Sequence, residues 1–140
     1  MDIQERRLSS AEYKQIQTGF EAHALAFGNP PTEERRLTFV ATENDAFVGC
    51  ASGLINANGN WLYLTDLFVE KELRGQGLGA QLLTRIEARA KSLGVEMCWT
   101  RTAGYEAPKF YIKMGYTVLF ELENWYQSGH SQIGLKKQIT

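Results

Sequence analysis

The sequence predicts an α/β fold in which helices flank a mixed, mostly antiparallel sheet of six to seven strands. Two observations support this fold class. Segments with apolar residues at helical spacing alternate with strand-like segments, and three strand-like segments follow one another across short turns. The 140 residues contain no repeat, linker or low-complexity stretch, so we expect a single domain spanning 1–140.

The N-terminal part is predicted to contain a strand and a helix. Asp2 to Leu8 is predicted to form the first strand, and Ser9-Ser10-Ala11-Glu12 has the form of a helix capping box. Pro30-Pro31 ends this helix after about Phe27, and 32–36 is either a polar connection or a short helix. Residues at spacings of three and four give the helix one apolar face: Tyr13, Ile16, Phe20 and Ala24.

The rest of the chain is predicted to form an antiparallel meander followed by alternating helices and strands. The long helix has a continuous apolar stripe, closed by Gly94: Leu82, Leu83, Ile86, Ala90 and Leu93. The predicted meander strands are Leu37 to Thr42, Phe47 to Ile55 and Trp61 to Val69. The later elements are a helix from Leu78 to Leu93, a strand from Val95 to Thr102, a short helix from Pro108 to Gly115, and strands from Tyr116 to Leu122 and Gln132 to Ile139.

Composition and charge narrow the classes of partner. The net charge is −1, so no general attraction to nucleic acid or to an anionic membrane is expected. The first residues lack the basic and apolar regions of a secretory signal, and no apolar run approaches the roughly 20 residues of a membrane span. We therefore expect a soluble cytoplasmic protein in which Cys50 and Cys98 are reduced thiols.

A glycine-rich loop connects the third meander strand to the long helix. It runs Arg74-Gly75-Gln76-Gly77-Leu78-Gly79 and is followed by Ala80. Unpaired N–H groups and the positive end of the helix dipole make such a helix start an anion site, and glycine lets a phosphate approach the backbone. The loop thus predicts a pyrophosphate held by backbone amides, with a ligand-free helix start as the alternative.

Two other phosphate-binding loops fit this segment less well. A P-loop requires Lys and then Ser or Thr after its last glycine, whereas Gly79 is followed by Ala80 and Gln81. The dinucleotide fingerprint is formally matched by Gly75, Gly77 and Ala80, with Glu96 lying 21 residues after Gly75. That fingerprint begins almost directly after a strand, but here five mostly charged residues intervene and antiparallel strands come first.

A different pattern accounts for both this loop and a second motif. The loop fits R/Q-x-x-G-x-G/A and follows a strand ending in Asp66-Leu67-Phe68-Val69. Downstream, Ala107-Pro108-Lys109-Phe110-Tyr111-Ile112-Lys113-Met114-Gly115-Tyr116 fits A-x-x-F-Y-x-K-x-G-F/Y. In these motifs and in the elements between them, the chain resembles the small single-domain members of the GNAT family of N-acetyltransferases. One departure is Gly104, where many members have an asparagine that binds the pantetheine arm or a neighbouring backbone.

The resemblance implies that acetyl-CoA is the acyl donor. No metal is expected, because neither histidine has the cysteine, histidine or carboxylate spacing of a metal site. The resemblance also implies that strands 61–69 and 95–102 splay apart, so that the pantetheine arm enters between them and the pyrophosphate meets the amides of the glycine loop. With glycine at position 104, the cofactor would be held in this region by backbone groups or by a nearby hydroxyl such as that of Thr102. The implied cofactor-binding residues are Leu67, Phe68, Val69, Arg74, Gln76, Gly77, Leu78, Gly79, Ala80, Ala107 and Phe110.

The same resemblance implies direct transfer with Tyr111 as the general acid. A tyrosine, with an ordinary pKa of about 10, is protonated at neutral pH and can donate to the departing thiolate. The alternative is that Tyr111 belongs to the apolar face of a short helix. Asp66 and Glu121 are candidate general bases, each with an ordinary structural role as its alternative. Cys98 is disfavoured as a nucleophile, because the sequence places no activating base beside it.

The acceptor is predicted to be a primary amine of a small molecule. Glu123, Trp125, Tyr126 and His130 follow the strand 116–122, and carboxylates with aromatic rings suit a cationic amine. Alternatively, Trp125 and Tyr126 cover the sheet or a homodimer contact. Two other functions remain open, a non-catalytic acyl-CoA-binding module and a protein acetyltransferase that modifies lysines or N-termini.

Overall fold

A computed structural model of the chain describes residues 1–56, 60–106 and 108–140. It comprises two compact units, Met1–Glu33 and Glu34–Thr140, so the single-domain organisation stays a prediction. In the first unit, helix α1 spans Ser10–Ala26. The capping box is confirmed, because Glu12 N donates to Ser9 Oγ at 3.1 Å and Ser9 N donates to Glu12 Oε1 at 3.0 Å.

The predicted first strand, Asp2 to Leu8, is wrong. This segment is irregular and exposed, since its backbone makes no strand ladder with any described residue. Its ordered contact is made by a side chain, because the Arg6 guanidinium donates to Glu12 Oε1 at 2.9 Å and to Oε2 at 3.1 Å. This ion pair holds the pKa of the Glu12 carboxyl at about 2. The segment therefore braces the start of α1 through charge.

The second unit contains a six-stranded sheet in the order β1-β2-β3-β4-β6-β5. The α/β class and the antiparallel meander are confirmed. Among the described residues, none of the helices is long and apolar enough to cross a membrane. The strands are β1 (Arg35–Glu43), β2 (Ala46–Ile55), β3 (Trp61–Val69), β4 (Met97–Ala103), β5 (Thr117–Leu122) and β6 (Gln132–Gln138), and the helices are α2 (Leu78–Ser92) and α3 (Pro108–Lys113).

Local sequence explains most of these boundaries. Asn44 and Asp45 both adopt positive φ, which suits the tight turn between β1 and β2. The segment 32–36 forms no helix, because β1 already begins at Arg35. A short 3₁₀ helix at Lys71–Leu73 was not predicted. Gly94 at φ 86° ends α2 as expected. The sequence also predicts a turn at 56–60, between the second and third meander strands; its residues 57–59 lie outside the described residues.

Helix α2 packs its apolar stripe on one face of the sheet, here called the first face. Alternation along the strands places Leu37 of β1 and Ala51 of β2 on this face. Residues between them, such as Arg36 and Ser52, point to the opposite face, here called the second face. The core is formed by buried side chains, including Leu62, Leu64, Leu83, Ile86, Ala90, Cys98, Tyr111, Tyr116 and Leu135.

Strands β3 and β4 run parallel and then separate. They pair only at Trp61 with Met97, Leu62 with Cys98, and Tyr63 with Trp99. Thr100 Oγ1 donates to the carbonyl oxygen of Leu64 at 3.0 Å, just beyond the last pair. The gap between residues 64–69 and 100–103 is called the fork. The presence of the fork confirms the predicted splay. A bulge in the β2–β3 ladder at Thr65 bends β3 where the fork opens.

Candidate active site

The start of α2 presents unpaired backbone amides. The first intrahelical bond runs from Gln81 N to Gly77 O at 3.0 Å, and no side chain caps the helix. The N–H groups of Leu78, Gly79 and Ala80 thus have no protein acceptor among the described residues. The first turn also contains no acidic residue that would compete with an anion. These are the three free amides at the positive end of a helix that the predicted anion cradle requires, and they are here called the amide cradle.

Backbone conformation explains the glycines before this cradle. Gly75 and Gly77 have φ of 79° and 84°, values that residues with a side chain rarely adopt. A Cβ at Gly79 would lie 3.7 Å from both Val69 Cγ2 and Phe110 Cζ, which is ordinary van der Waals contact. Gly77 is therefore required by conformation. Gly79 keeps the space between the end of β3 and α3 clear.

The backbone of β3 faces the fork at two of the three predicted positions, Leu67 and Val69. Glu70 N donates to Val48 O of β2 at 2.8 Å. Since backbone groups alternate in direction along a strand, those of Val69 and Leu67 point the other way, into the fork. Phe68 directs its backbone toward β2, and its ring stacks on Phe47 with centroids 6.0 Å apart on the second face. An extended ligand in the fork would find hydrogen-bonding groups on alternate β3 residues.

The other predicted cofactor residues lie around the glycine loop. Arg74 Nε donates to Val69 O at 3.0 Å, so this side chain braces the loop against the end of β3. Gln76 Nε2 donates to Glu72 O at 3.4 Å. Phe110 is half-buried beside Gly79. Ala107, also predicted to bind cofactor, lies outside the described residues.

Tyr111 of α3 lies beside the point where β3 and β4 separate. The side chain is 8% exposed, and burial raises the pKa of its phenol to about 12, although the neighbouring Thr100 hydroxyl lowers it. Its ring packs edge-on against Tyr116, with centroids 5.5 Å apart. Because Thr100 also binds Leu64 O, the phenol is placed near the vertex of the fork. A phenol held there stays protonated across the physiological pH range.

A buried polar network stands behind Tyr111, and sequence reasoning missed it. Tyr116 Oη donates to Glu87 Oε2 at 2.6 Å, and Lys137 Nζ donates to Glu87 Oε1 at 2.9 Å. Burial raises the pKa of Tyr116 well above its ordinary value and that of Cys98 to about 12. Cys98 therefore remains a thiol, which opposes a covalent mechanism. The detectable signal was Glu87 itself, a lone carboxylate on the apolar stripe of α2.

The candidate bases lie in different places. Asp66 follows the bulge in β3 and points to the second face, where its Oδ2 accepts from Thr65 Oγ1 at 2.8 Å. Glu121 is exposed on β5, opposite Ile133 of β6. The fork is bounded by β3 and β4, so Asp66 is the candidate that belongs to its wall.

In the loop 123–131, the predicted acceptor residues Tyr126 and His130 both contact Tyr105, which was not predicted as an acceptor residue. The Tyr105 ring packs edge-on against Tyr126 at 5.5 Å and against His130 at 5.2 Å. His130 Nδ1 lies 2.9 Å from Ser128 Oγ. Trp125 and Glu123 are exposed, and neither makes a side-chain contact of this kind among the described residues.

The turn after β4 adds another carboxylate. Glu106 N donates to Ala103 O at 2.9 Å, and Thr102 Oγ1 donates to Glu106 Oε2 at 3.3 Å. Thr102, predicted to help hold the cofactor, is thus engaged within its own turn. Gly104 N donates to Ser131 O at 2.8 Å, which links this turn to the loop before β6.

Comparisons with known proteins agree with this fold. Residues 34–118 match the family model described as an acetyltransferase (GNAT) domain. The chain is 33% identical over 99 residues to the blasticidin-S acetyltransferase of Streptomyces morookaense, which covers 69% of this chain and 73% of that protein. An acetyltransferase structure from Bacillus cereus superposes with a TM-score of 0.84 over 97% of each chain, at 23% identity. An aminoglycoside 6′-N-acetyltransferase complexed with coenzyme A gives 0.68 at 19% identity, over 84% of this chain and 78% of that one.

Proposed function

The chain belongs to the GNAT acetyltransferase family, and we propose that it transfers the acetyl group of acetyl-CoA directly to a primary amine of a small molecule. The observation that carries this proposal is the conjunction of the amide cradle, the fork and a protonated phenol at the fork vertex. The relative named for blasticidin S supports a small-molecule acceptor.

The residues of the cradle and fork fit acetyl-CoA. The free amides of Leu78, Gly79 and Ala80 suit its pyrophosphate, and the backbone groups of Leu67 and Val69 suit the amides of its pantetheine arm. Acetyl-CoA supplies the thioester, whose carbonyl carbon accepts the amine.

The protein's part in the reaction is proton transfer and positioning. The neutral amine forms a C–N bond to the carbonyl carbon, the C–S bond breaks, and Tyr111 gives its proton to the departing thiolate. Asp66, on the second face of β3, takes the proton that the amine loses. The base assignment rests on the position of Asp66 in the fork wall. Glu121 lies away from β3 and is the weaker candidate.

The loop 123–131 is the second part of the proposed acceptor site. The rings of Tyr126 and His130, joined by Tyr105, offer faces and edges suited to a cationic amine. Glu123 and Trp125 keep their predicted roles in acceptor binding as part of this proposal. A homodimer and a cytoplasmic location are likewise proposed from the sequence.

The experiment is a coupled measurement of binding and turnover. Acetyl-CoA is expected to raise the melting temperature far more than NADH or ATP, because a ligand that binds only the native state stabilises it by mass action. Release of free thiol is then followed with a panel of small amines and with lysine-containing peptides. Stabilisation without thiol release from any acceptor would favour the non-catalytic acyl-CoA-binding module, and turnover restricted to peptides would favour a protein acetyltransferase.

A further inference from the structure

The bulge residue Thr65 stands between a cation and an anion on the second face. Arg36 Nη1 donates to Thr65 Oγ1 at 3.0 Å. The Thr65 hydroxyl proton is shared between Asp66 Oδ2 at 2.8 Å and Ser52 O at 3.1 Å. One hydroxyl therefore separates the guanidinium from the carboxylate.

The two charges are held close without being paired to each other. No ion pair joins Arg36 and Asp66 within 4.0 Å in the part of the chain that the structure describes. Arg36 Nη1 also donates to Ser52 Oγ at 2.8 Å, and that hydroxyl lies 2.8 Å from Thr38 Oγ1. Both side-chain hydrogen bonds that Arg36 makes with described residues use the same nitrogen, whereas a guanidinium has five N–H donors.

The cluster is also fixed in place at the fork. Ser52 is 8% exposed and lies opposite Asp66 in the β2–β3 ladder. Arg36 and Asp66 themselves are exposed. The hydroxyl groups of the cluster thus hold the guanidinium of Arg36 and the carboxylate of Asp66 in place, and both charged groups remain exposed. They lie on the second face of the sheet, opposite the face on which α2 packs.

We infer that Arg36, Thr65 and Asp66 form an acceptor subsite for a short amino acid, in which Asp66 receives the amino group and Arg36 binds the carboxylate. Arginine suits this role because its planar fork binds a carboxylate through two parallel hydrogen bonds. Since one hydroxyl separates the two protein charges, the acceptor must carry its own charges close together. This inference rests on the proposed acetyl transfer and adds the class of acceptor.

The test compares matched acceptors and matched variants. L-Alanine and β-alanine are each compared with the corresponding amide, which keeps the amine and removes the anion. Arg36→Met removes the guanidinium, while Arg35→Met is the control, because Arg35 is the adjacent residue of β1 and points to the other face. For each variant, kcat/KM for the acid is divided by kcat/KM for the amide, and these ratios are compared between variants. The intrinsic difference in reactivity between acid and amide then cancels.

Wild-type protein is expected to prefer the amino acids to their amides. Arg36→Met should lower kcat/KM for the acids by about 10- to 100-fold, as expected for loss of a charge-assisted hydrogen bond, and leave the amides within about twofold. Thr65→Val, which keeps the side-chain shape and removes the hydroxyl, should also reduce the preference; it serves if Arg36→Met does not fold. Arg35→Met should leave the ratio unchanged.

Two outcomes would overturn the inference. Equal losses for acids and amides in Arg36→Met would give Arg36 a purely structural role, and wild-type protein that acetylates neutral amines without favouring the acids would show that no anion is recognised. Either result leaves the proposed acetyltransferase activity intact. Absence of acetyl transfer to every amine would instead refute the proposed function, and the subsite with it.

Discussion

The phenol of Tyr116 donates a 2.6 Å hydrogen bond to the buried carboxylate of Glu87, and this bond ties the start of β5 to α2. Lys137 of β6 completes the carboxylate's contacts at 2.9 Å. Helix α2 packs on β1, β2 and β3, whereas Tyr116 and Lys137 lie on the other side of the fork. The three side chains therefore connect the element that carries the amide cradle with the half that carries Tyr111.

Removing the acceptor of this bond should destabilise the fold strongly. Glu87→Ala leaves the buried Tyr116 hydroxyl and the Lys137 ammonium without their partner, and we expect a loss of about 3–5 kcal/mol in the free energy of unfolding. Tyr116→Phe removes only the donor, with an expected loss of about 1–3 kcal/mol. Urea denaturation measures both. Lys136→Met is the control, since Lys136 makes no ion pair among the described residues. If Glu87→Ala lost no more stability than this control, the network would be contradicted.

Gly77→Ala should weaken binding of acetyl-CoA by more than it weakens the fold. Its φ of 84° is strained for alanine, at a cost of roughly 1–2 kcal/mol, and relaxation would move the neighbouring amides. Gly94→Ala is a matched control, because Gly94 has φ of 86° and open space around it but closes the opposite end of α2. Calorimetric titration with acetyl-CoA should show reduced affinity in Gly77→Ala alone. Equal affinities for acetyl-CoA in folded Gly77→Ala and Gly94→Ala would contradict the assignment of the cradle as the pyrophosphate site.

Gly79→Val tests the space between the cradle and α3. A Cβ at this site makes ordinary contacts with Val69 and Phe110, so alanine should be tolerated in the fold. The branched valine adds two methyl groups where the ligand enters, and we expect it to weaken acetyl-CoA binding while Gly79→Ala has a much smaller effect. Titration of both variants, with melting temperature as the check on folding, measures the difference. Comparable affinities for the two would place the ligand elsewhere.

Tyr111→Phe should reduce turnover without reducing cofactor affinity. General acid catalysis commonly contributes about 10²- to 10⁴-fold, so kcat should fall by about that factor while the Kd for acetyl-CoA changes little. Tyr13→Phe, in an exposed ring of α1 that the proposal does not use, is the control. A large fall in melting temperature with little loss of kcat would assign Tyr111 to the core. Full activity at normal stability would mean that water or another group protonates the thiolate.

Alkaline pH should destabilise the protein over a defined range. Burial raises the pKa of Cys98 from 9.0 to about 12 and that of Tyr111 from 10.0 to about 12. The unfolded chain thus releases these protons from about pH 9 upward, whereas the native chain retains them until about pH 12. Their contribution is complete below pH 9 and is lost as pH rises through this window. Urea midpoints measured between pH 7 and 11.5 check it, and Cys98→Ala should flatten the profile; a flat wild-type profile would contradict the prediction.

The sequence by itself determined the elements whose cause is local. The capping box at Ser9 and Glu12 and the end of α2 at Gly94 depend on bonds or backbone angles within a few residues. The apolar period of α2 and the strand boundaries of β3, at Trp61 and Val69, are set by side-chain patterns of the same range. The glycine loop predicted its amide cradle because both lie in one contiguous segment.

Only the tertiary structure decided which distant residues meet. Asp2 to Leu8 has a strand-like pattern, but a strand forms only where another backbone accepts its hydrogen bonds. Arg36 and Thr65 are 29 residues apart, and Glu87 and Lys137 are 50 apart. Their contacts follow from strand register, from the bulge in β3 and from the packing of α2 on β1, β2 and β3. Those long-range features set which polar groups are buried together, and a one-residue change of register would send each strand side chain to the opposite face.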